Sequence, residues 1–312
     1  MGTKKQFGWV PVKERSLKLQ KLHFKLIDEM PHFFIANQTM ASNGQRLVLW
    51  DCAKKLFGKH IPTLYQSIGS CVSQGATNAV SYVSLAEAVL QGQREKFIQT
   101  YAPYIYGRCR YHAGIRGKGD GSSGSGAAKA AMADGVLRID FPGLTGFKYS
   151  SDGRTLIWDG DTEYQWSDGA KIGQKYLDEG RVHLIKSTAL CSTYEQARDA
   201  ILNGYAVTVA SGRGFTRNEV KQGKLWGLPY GGWNHQMSFI GVDDDSQRPG
   251  LYCLNSWGAD AHPNPPDDAP PGGFWVDAEV VNKMFSERDS FVFSQFDGFP
   301  ETRLDKKLFK LI

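Results

Sequence analysis

The two halves of this 312-residue chain have different sequence periodicities, which limits the folds that it can adopt. Cys71–Gln91 has a broad apolar face at helical spacing with Gly92 as a stop, and Ala127–Asp134, closed by Gly135, predicts a second helix. Beyond about residue 205, short apolar or alternating runs predict strands: Ala206–Ala210, Gln236–Val242, Leu251–Ser256, Gly273–Val276 and Ser290–Phe293. Helices followed by strands predict an α+β protein of two lobes.

The stretch between these halves has weaker signals. Thr193–Asn203 begins with a Thr that Gln196 follows three positions later, a helix-capping pattern, and it stops at a glycine. Residues 140–186 are irregular and end in a predicted strand, Arg181–Lys186. The acidic run Asp243–Asp245 lacks the spacing of a calcium loop and predicts a hairpin turn instead.

Basic residues are enriched at both ends of the chain, although the net charge is only +5. Residues 1–45 are predicted to be an N-terminal extension, a tether or a pro-segment, and residues 299–312 a basic tail. The domain between them, 46–298, would have lobes at about 60–140 and 180–295. No basic groove with interleaved aromatic residues is evident, so nucleic acid is not a predicted partner. The extension could instead join the protein to a larger assembly.

The cysteines and the apolar runs indicate the kind of compartment in which the protein is expected. Five cysteines, scattered and without a CxxC pair, predict free thiols and neither a disulfide framework nor a zinc site. Apolar runs are too short for a membrane span, and no apolar stretch follows the charged N-terminus as in a secretion signal. A reducing setting is expected, either the cytoplasm or a larger particle.

One cysteine has a context suited to nucleophilic chemistry. Cys71 begins the predicted helix, whose free N–H groups and partial positive charge would lower the pKa of the thiol. Gly69 allows close approach of a substrate. The N–H of Cys71 and the side chain of Gln66 could both donate to a developing oxyanion.

A base and a residue to orient it follow in the strand-rich half. His235 enters the predicted strand Gln236–Val242, so its imidazole would be held by a rigid element. The carboxamide of Asn255 could accept the imidazole N–H, and Trp257 could shield that hydrogen bond from water. Nucleophile, base and orienting residue together form a generalised catalytic triad.

These segments resemble the papain-like (cathepsin-like) cysteine peptidases, which have Gln, Cys, His and Asn in this order. The matching stretches are QSIGSC, NHQMSFIGV and LNSWG, and the resemblance extends over about residues 48–293 through Trp50-Asp51, Tyr101–Tyr104 and Gly272–Trp275. The family has a helical left lobe, here with Cys71, and an antiparallel β-barrel-like right lobe, here with His235 and Asn255.

The resemblance implies a thiol peptidase or amidase that cleaves a peptide or protein substrate through an acyl-thioester, without a metal or organic cofactor. Gln66 would hold the oxyanion. The cleft between the lobes would be lined by Gly124, Gly126, Trp233, Asn234 and Trp257. The glycine-rich stretch 114–126, which lacks the Gly-Lys-Ser/Thr of a phosphate loop, would face the substrate.

Departures from the family pattern leave two other functions open. Gln66 precedes Cys71 by five positions rather than six, and Val72 replaces the usual aromatic residue. These changes are compatible with a catalytically silent papain-like protein that serves as a structural or binding component. An acyl transferase could use the same triad with an amine as acceptor. The spacing from Cys71 to His235 is longer than usual, which predicts an insertion within residues 140–180.

Overall fold

The computed structural model describes residues 6–11, 20, 24–25, 46–90, 97, 99–244 and 247–296. Gly92, Asp245, most of residues 1–45 and the basic tail 299–312 lie outside these ranges. The described helices are α1 (Trp50–Phe57), α2 (Cys71–Leu90), α3 (Ala102–His112), α4 (Gly124–Ala133), α5 (Gly160–Trp166), α6 (Gln174–Gly180), α7 (Tyr194–Leu202) and α8 (Ala278–Phe285). Short 3₁₀ turns lie at Gly169–Lys171 and Arg181–His183.

The strands lie mostly in the second half of the chain, as the sequence periodicity predicts. They are β1 (Arg46–Val48), β2 (Thr63–Tyr65), β3 (Phe147–Tyr149), β4 (Thr155–Trp158), β5 (Thr188–Leu190), β6 (Val207–Arg213), β7 (Arg217–Lys221), β8 (Lys224–Leu228), β9 (Gly232–Asp243), β10 (Gly250–Leu254), β11 (Gly273–Asp277) and β12 (Phe291–Phe293).

Nine of these strands form one sheet with the order β5-β12-β6-β9-β10-β11-β8-β7, and β1 pairs with β9. The central strand β9 is antiparallel to both β6 and β10. The path is open, without a closing pair among the described strands. A smaller sheet has the order β2-β4-β3. The α+β class is therefore confirmed.

Helix α2 is the central helix and packs closely on β9. It is buried without interruption from Cys71 to Val83. A Cβ at Gly75 would lie 3.2 Å from the carbonyl oxygen of Met237, so a larger side chain would push the two elements apart. The Ser238 hydroxyl donates to the Gly75 carbonyl (2.6 Å). This contact places the second turn of α2 beside the middle of β9.

Two helices of the first half differ from the sequence expectation. The Tyr101–Tyr104 stretch, which is part of the family resemblance, leads into α3, which is buried from Ala102 to Arg110 and accommodates Pro103 in its first turn. Helix α4 begins three residues earlier than predicted because the Ser123 hydroxyl accepts the N–H of Gly126 (3.1 Å) as an N-terminal cap.

The region between the lobes is more regular than its composition indicates. It contains β3, β4, α5 and α6. The strand predicted at Arg181–Lys186 is wrong: a 3₁₀ turn begins this stretch, and strand pairing starts only at Thr188, opposite Phe293 of β12. The Thr193 cap is confirmed by its bond from the Gln196 N–H (3.2 Å). Strands β9 and β10 pair antiparallel on either side of the predicted turn at Asp243–Asp245.

Candidate active site

The segment before α2 and the segment after β10 are joined by hydrogen bonds. The Gln66 N–H donates to the carbonyl of Ser256 (3.0 Å), and the Gly258 N–H donates to that of Leu64 (2.9 Å). The Ser256 hydroxyl donates to the side-chain carbonyl of Gln66 (2.7 Å). The candidate oxyanion donor is therefore held beside the residue that follows Asn255.

The predicted base and its orienting residue are hydrogen-bonded to each other. Nε2 of His235 lies 2.8 Å from Oδ1 of Asn255, and both residues are fully buried. The Trp257 ring stacks on the His235 imidazole, with ring centroids 4.4 Å apart and an angle of 26° between the planes. The indole thus covers this bond as the sequence predicts, and exclusion of water strengthens it.

The predicted nucleophile lies next to this pair. Cys71 is the first residue of α2, and the backbone N–H of Gln236, the residue after His235, lowers the pKa of its thiol. The Gln236 side chain also donates to the carbonyl of Val72 (3.0 Å). The structure therefore brings the loop from Gln66 to Cys71 together with the start of β9.

Residues 6–11, here called the cleft segment, run across this site. The backbone N–H groups of Gly8 and Trp9 act on the Cys71 thiol and lower its pKa. The Trp9 N–H also lies 3.1 Å from the Asn234 carbonyl. The segment pairs with the backbone of Ser122. The Ser122 N–H donates to the Gly8 carbonyl, and the Ser122 carbonyl accepts from the Val10 N–H, both at 2.8 Å. The cleft is therefore occupied by peptide from the same chain.

Two further contacts place the beginning of the cleft segment over the triad. The Gln6 carbonyl accepts from the side-chain amide of Gln66 (3.3 Å) and from the indole N–H of Trp257 (3.2 Å). The Phe7 ring lies against the rings of His235 and Trp257 at 6.2 and 5.7 Å. The side-chain N–H of Gln66, predicted to donate to an oxyanion, thus donates to a carbonyl oxygen of the cleft segment.

The Trp9 side chain fills a pocket that ends in a buried carboxylate. The Trp9 indole N–H donates to Asp289 (2.9 Å), and Gln20 donates to its other oxygen (3.0 Å). The backbone N–H groups of Gly124 and Ser125, at the start of α4, donate to the same carboxylate at 2.6 and 2.8 Å. Burial raises the pKa of Asp289 to about 6, and the donors from Trp9, Gly124 and Ser125 counteract the rise.

The expectation of a lowered thiol pKa is wrong for this closed state. Burial raises the pKa of Cys71 to about 12, although the N–H groups of Gln236, Gly8, Trp9 and Val72 act in the opposite direction. The cleft segment supplies two of these donors and also helps to exclude the water that would stabilise a thiolate. The thiol is therefore protonated at neutral pH while the segment is in place.

The residues predicted to line the cleft divide into two groups. Trp233, Asn234 and Trp257 lie around the cleft segment, since Asn234 bonds to it and both indoles are near Phe7. The two glycines are part of α4 instead. A Cβ at Gly124 would overlap the backbone of Asp289, and one at Gly126 would lie 2.6 Å from the Cys109 carbonyl. Close packing accounts for both glycines, and their role in lining the cleft stays a prediction.

A buried carboxylate missed by the sequence reasoning supports the loop before Cys71. Glu163 of α5 accepts from the Ser67 N–H (2.8 Å), the Ser70 hydroxyl and the Gln74 side-chain amide (2.9 Å). Burial raises the pKa of Glu163 to about 7, and its donors limit the rise. The predicted insertion region thus contributes a structural contact to the site. Ser122 and Asp289 were also missed, because only long-range contacts identify them.

Other site types are not supported by the described residues. Within them, no cluster of three His, Cys, Asp or Glu side chains could hold a metal ion. All five cysteines are buried and free of disulfides. None of the helices in the described ranges is long and apolar enough to cross a membrane.

Comparison with solved structures identifies the architecture. Xylellain, a cysteine protease from Xylella fastidiosa, matches with a TM-score of 0.59 at 14% identity, over 95% of this chain and 99% of its own. The fold is papain-like. The papain-like proteins that match also include proCathepsin B S9 from Trypanosoma congolense and procathepsin L 3 from Tenebrio molitor. The first has a TM-score of 0.48 and 10% identity, over 94% of this chain and 84% of its own. The second has a TM-score of 0.46 and 15% identity, over 75% and 66%. No protein-family model and no curated protein matches the sequence.

Proposed function

We propose that this protein is a papain-like cysteine peptidase that its own cleft segment holds in a latent state. One observation carries the proposal: a stretch of peptide lies on the candidate catalytic groups. The Gln6 carbonyl accepts from Gln66, and the N–H groups of Gly8 and Trp9 act on the Cys71 thiol and lower its pKa. A site that binds an extended backbone in this way has the donors and acceptors that a peptide substrate requires.

In the open state, Cys71 would transfer its proton to His235 and attack the carbonyl carbon of a peptide bond. The oxyanion that forms would be held by the Gln66 side chain and the Cys71 N–H. His235 would then protonate the leaving amine as the C–N bond breaks, and water would hydrolyse the acyl-thioester. Asn255 would keep the imidazole oriented through the 2.8 Å bond seen here.

The same geometry explains why the cleft segment would not be cleaved in place. Attack requires a thiolate, and burial raises the pKa of Cys71 to about 12 in the closed state. At neutral pH the thiol therefore keeps its proton. Latency would end when the segment leaves and water reaches the sulfur.

The pocket that Trp9 occupies suggests a preference among substrates. When the chain up to residue 20 leaves the cleft, Asp289 loses the Trp9 and Gln20 donors but keeps Gly124 and Ser125. A buried carboxylate with two vacated acceptor positions suits a guanidinium, which donates through two parallel N–H groups. We expect peptides with an arginine in this pocket to be preferred. Profiling a peptide library against Asp289→Ala would test this, because the preference should disappear.

The filled cleft also favours a second function, a catalytically silent papain-like protein. In that case the cleft segment would be a permanent part of the fold and Cys71 a buried structural residue. The two functions differ in what happens when the segment is displaced. A peptidase gains activity, whereas a silent protein does not.

Gly8 offers a way to displace the segment in the full-length chain. A Cβ at Gly8 would overlap the carbonyl oxygen of Gly69, so Gly8→Val cannot occupy the cleft as the native segment does. Val10→Ala is the matched control, since Val10 is 42% exposed and its backbone bond to Ser122 remains possible. The assay is hydrolysis of a mixed peptide library, followed by mass spectrometry.

We expect Gly8→Val to hydrolyse peptides at least about 10 times faster than the native chain and the Val10→Ala control. Activity should vanish in the double variant Gly8→Val/Cys71→Ser. Absence of turnover in folded Gly8→Val would contradict the peptidase and favour the silent protein. Adding an amine distinguishes the third possibility, because an acyl transferase would form the amide of that amine in place of the hydrolysed product.

A further inference from the structure

The carboxamide of Asn255 lies between two imidazoles. Its Oδ1 accepts from His235 (2.8 Å), and its Nδ2 lies 3.1 Å from Nε2 of His262. His262 is 7% exposed and belongs to the stretch between β10 and β11. Its ring packs edge-on against Phe274, with ring centroids 4.7 Å apart. The sequence context did not distinguish His262 from a surface or structural histidine.

A backbone group determines which way the Asn255 carboxamide faces. The Ser256 N–H lies 2.7 Å from Oδ1 of Asn255. Because a backbone N–H can only donate, the side-chain atom that faces it must be the oxygen. The NH₂ group is consequently on the side of His262. Since an NH₂ group can only donate, Nε2 of His262 must accept and can carry no proton.

We infer that His262 is a positioning residue: as a neutral imidazole protonated on Nδ1, it holds the Asn255 carboxamide with its oxygen towards His235. This inference rests on the proposed function, because it assigns His262 a role in orienting the candidate base. The two histidines would carry opposite tautomers across one amide, with Nε2 protonated in His235 and unprotonated in His262.

The arrangement matters for the reaction because the charge on His235 changes during turnover. When His235 takes the proton of Cys71, its Nε2–H becomes a stronger donor and gains from a fixed oxygen acceptor. Loss of His262 would leave a buried N–H of Asn255 without this acceptor and allow the carboxamide to turn. Partners that orient a functional side chain in this way typically change activity by about 10- to 100-fold.

The tautomers can be measured directly in the full-length native chain labelled with ¹⁵N-histidine. Two-bond ¹H–¹⁵N correlation spectra distinguish a protonated ring nitrogen from an unprotonated one. His262→Gln and His235→Gln assign the two sets of signals by their disappearance. We expect an unprotonated Nε2 in His262 and a protonated Nε2 in His235. A proton on Nε2 of His262 would overturn the inference, whether or not the protein is active.

Kinetics then separate positioning from packing. In the Gly8→Val background, His262→Phe keeps a ring near Phe274 but removes the acceptor, and we expect kcat to fall by about 10-fold or more with KM nearly unchanged. His262→Gln, whose side-chain oxygen can accept, should restore part of the loss. His183→Gln, in the 3₁₀ turn Arg181–His183, is the control. Equal kcat in His262→Phe and its parent would contradict a positioning role.

If Gly8→Val itself shows no turnover, the proposed peptidase fails, and the spectra still decide whether His262 accepts from Asn255. If His262→Phe does not fold, the spectra of the native chain and His262→Gln provide the test. The two proposals can therefore fail independently.

Discussion

At the scale of single residues, the candidate catalytic groups are set by hydrogen bonds that leave little freedom of orientation. Gln66 is the clearest case. Its side-chain carbonyl accepts from the Ser256 hydroxyl, which turns the NH₂ group towards the carbonyls of Ile68 (2.9 Å) and Gln6 (3.3 Å). The shortened spacing between Gln66 and Cys71 therefore still places an N–H donor at the cleft.

Removal of this donor gives a prediction for the open enzyme. In the Gly8→Val background, Gln66→Ala should lower kcat by about 100- to 1,000-fold, the usual effect of losing one oxyanion donor. KM should change little because the donor acts mainly on the transition state. Steady-state kinetics on one cleaved peptide measure both values, with the exposed Gln174→Ala as control. A fall in kcat of less than about 3-fold would remove Gln66 from the mechanism.

Glu163 holds the same loop through hydrogen bonds. Its carboxylate is bonded to the Ser67 N–H and to the Ser70 hydroxyl, so α5 fixes the backbone that leads into Cys71. The cost is a buried charge, which the raised pKa of Glu163 reflects. This arrangement would not be visible in the sequence, where Glu163 is one acidic residue in an irregular region.

At the scale of secondary-structure elements, the cleft segment is anchored through one carboxylate at the start of α4. Asp289 joins this helix to Trp9, and hydrogen bonds to charged groups contribute about 1.5–3 kcal/mol each. The hydrogen bond between Trp9 and Asp289 can therefore be removed by a substitution that causes no steric clash. Trp9→Phe retains an aromatic ring but lacks the indole N–H.

We expect Trp9→Phe to increase the alkylation rate of Cys71 by about 10- to 100-fold, because the lost bond shifts the segment towards the open state by a corresponding factor. Val10→Ala should stay within about 2-fold of the native rate. The measurement is the rate of iodoacetamide incorporation at Cys71 by peptide mapping. An unchanged rate in Trp9→Phe would show that the Asp289 bond does not hold the segment.

The elements that the sequence predicted are those with local signals. Helix α2 has apolar residues at helical spacing, and α7 has a capping pattern at Thr193, so both were found within a few residues. Helix α3 was missed because it is buried on all sides, including Arg108 and Arg110, and has no polar face to reveal its period.

The triad could be predicted from local sequence motifs, whereas the closure of the cleft could not. Gln66, Cys71, His235 and Asn255 were predictable because the motifs around them are specific in combination. The position of the cleft segment was not, since its contacts join residues far apart in the chain, such as Trp9 and Asp289. These long-range contacts could not be predicted from any periodic pattern in residues 6–11.

At the scale of the whole molecule, two buried carboxyl groups should make stability depend on pH. The pKa of Glu163 is raised to about 7 and that of Asp289 to about 6. A raised pKa means that the folded protein binds the proton more readily than the unfolded chain does. These groups therefore lower stability when ionised, and the penalty is relieved as the pH falls from about 8 towards about 4.

The variant Glu163→Gln isolates one of these contributions. When the pH falls from 8 to 4.5, the unfolding free energy of the native protein should rise by about 3 kcal/mol relative to that of Glu163→Gln. This follows from about 1.4 kcal/mol per pKa unit. Urea titrations at several pH values measure it, with exposed Glu195→Gln as control. A difference that is constant with pH would contradict a buried, titrating Glu163.

The state of Cys71 in the whole molecule connects the fold to the proposed latency. Peptide mapping after iodoacetamide treatment at pH 7 reports this state for each cysteine separately, and the other four buried cysteines serve as internal controls. The most direct test compares the native chain with Gly8→Val, whose segment cannot lie against Gly69. A catalytic thiol closed off by the segment predicts slow labelling of Cys71 in the native chain. In Gly8→Val, it predicts labelling at least about 100-fold faster and confined to Cys71. Equal labelling of Cys71 in the two folded proteins would contradict it.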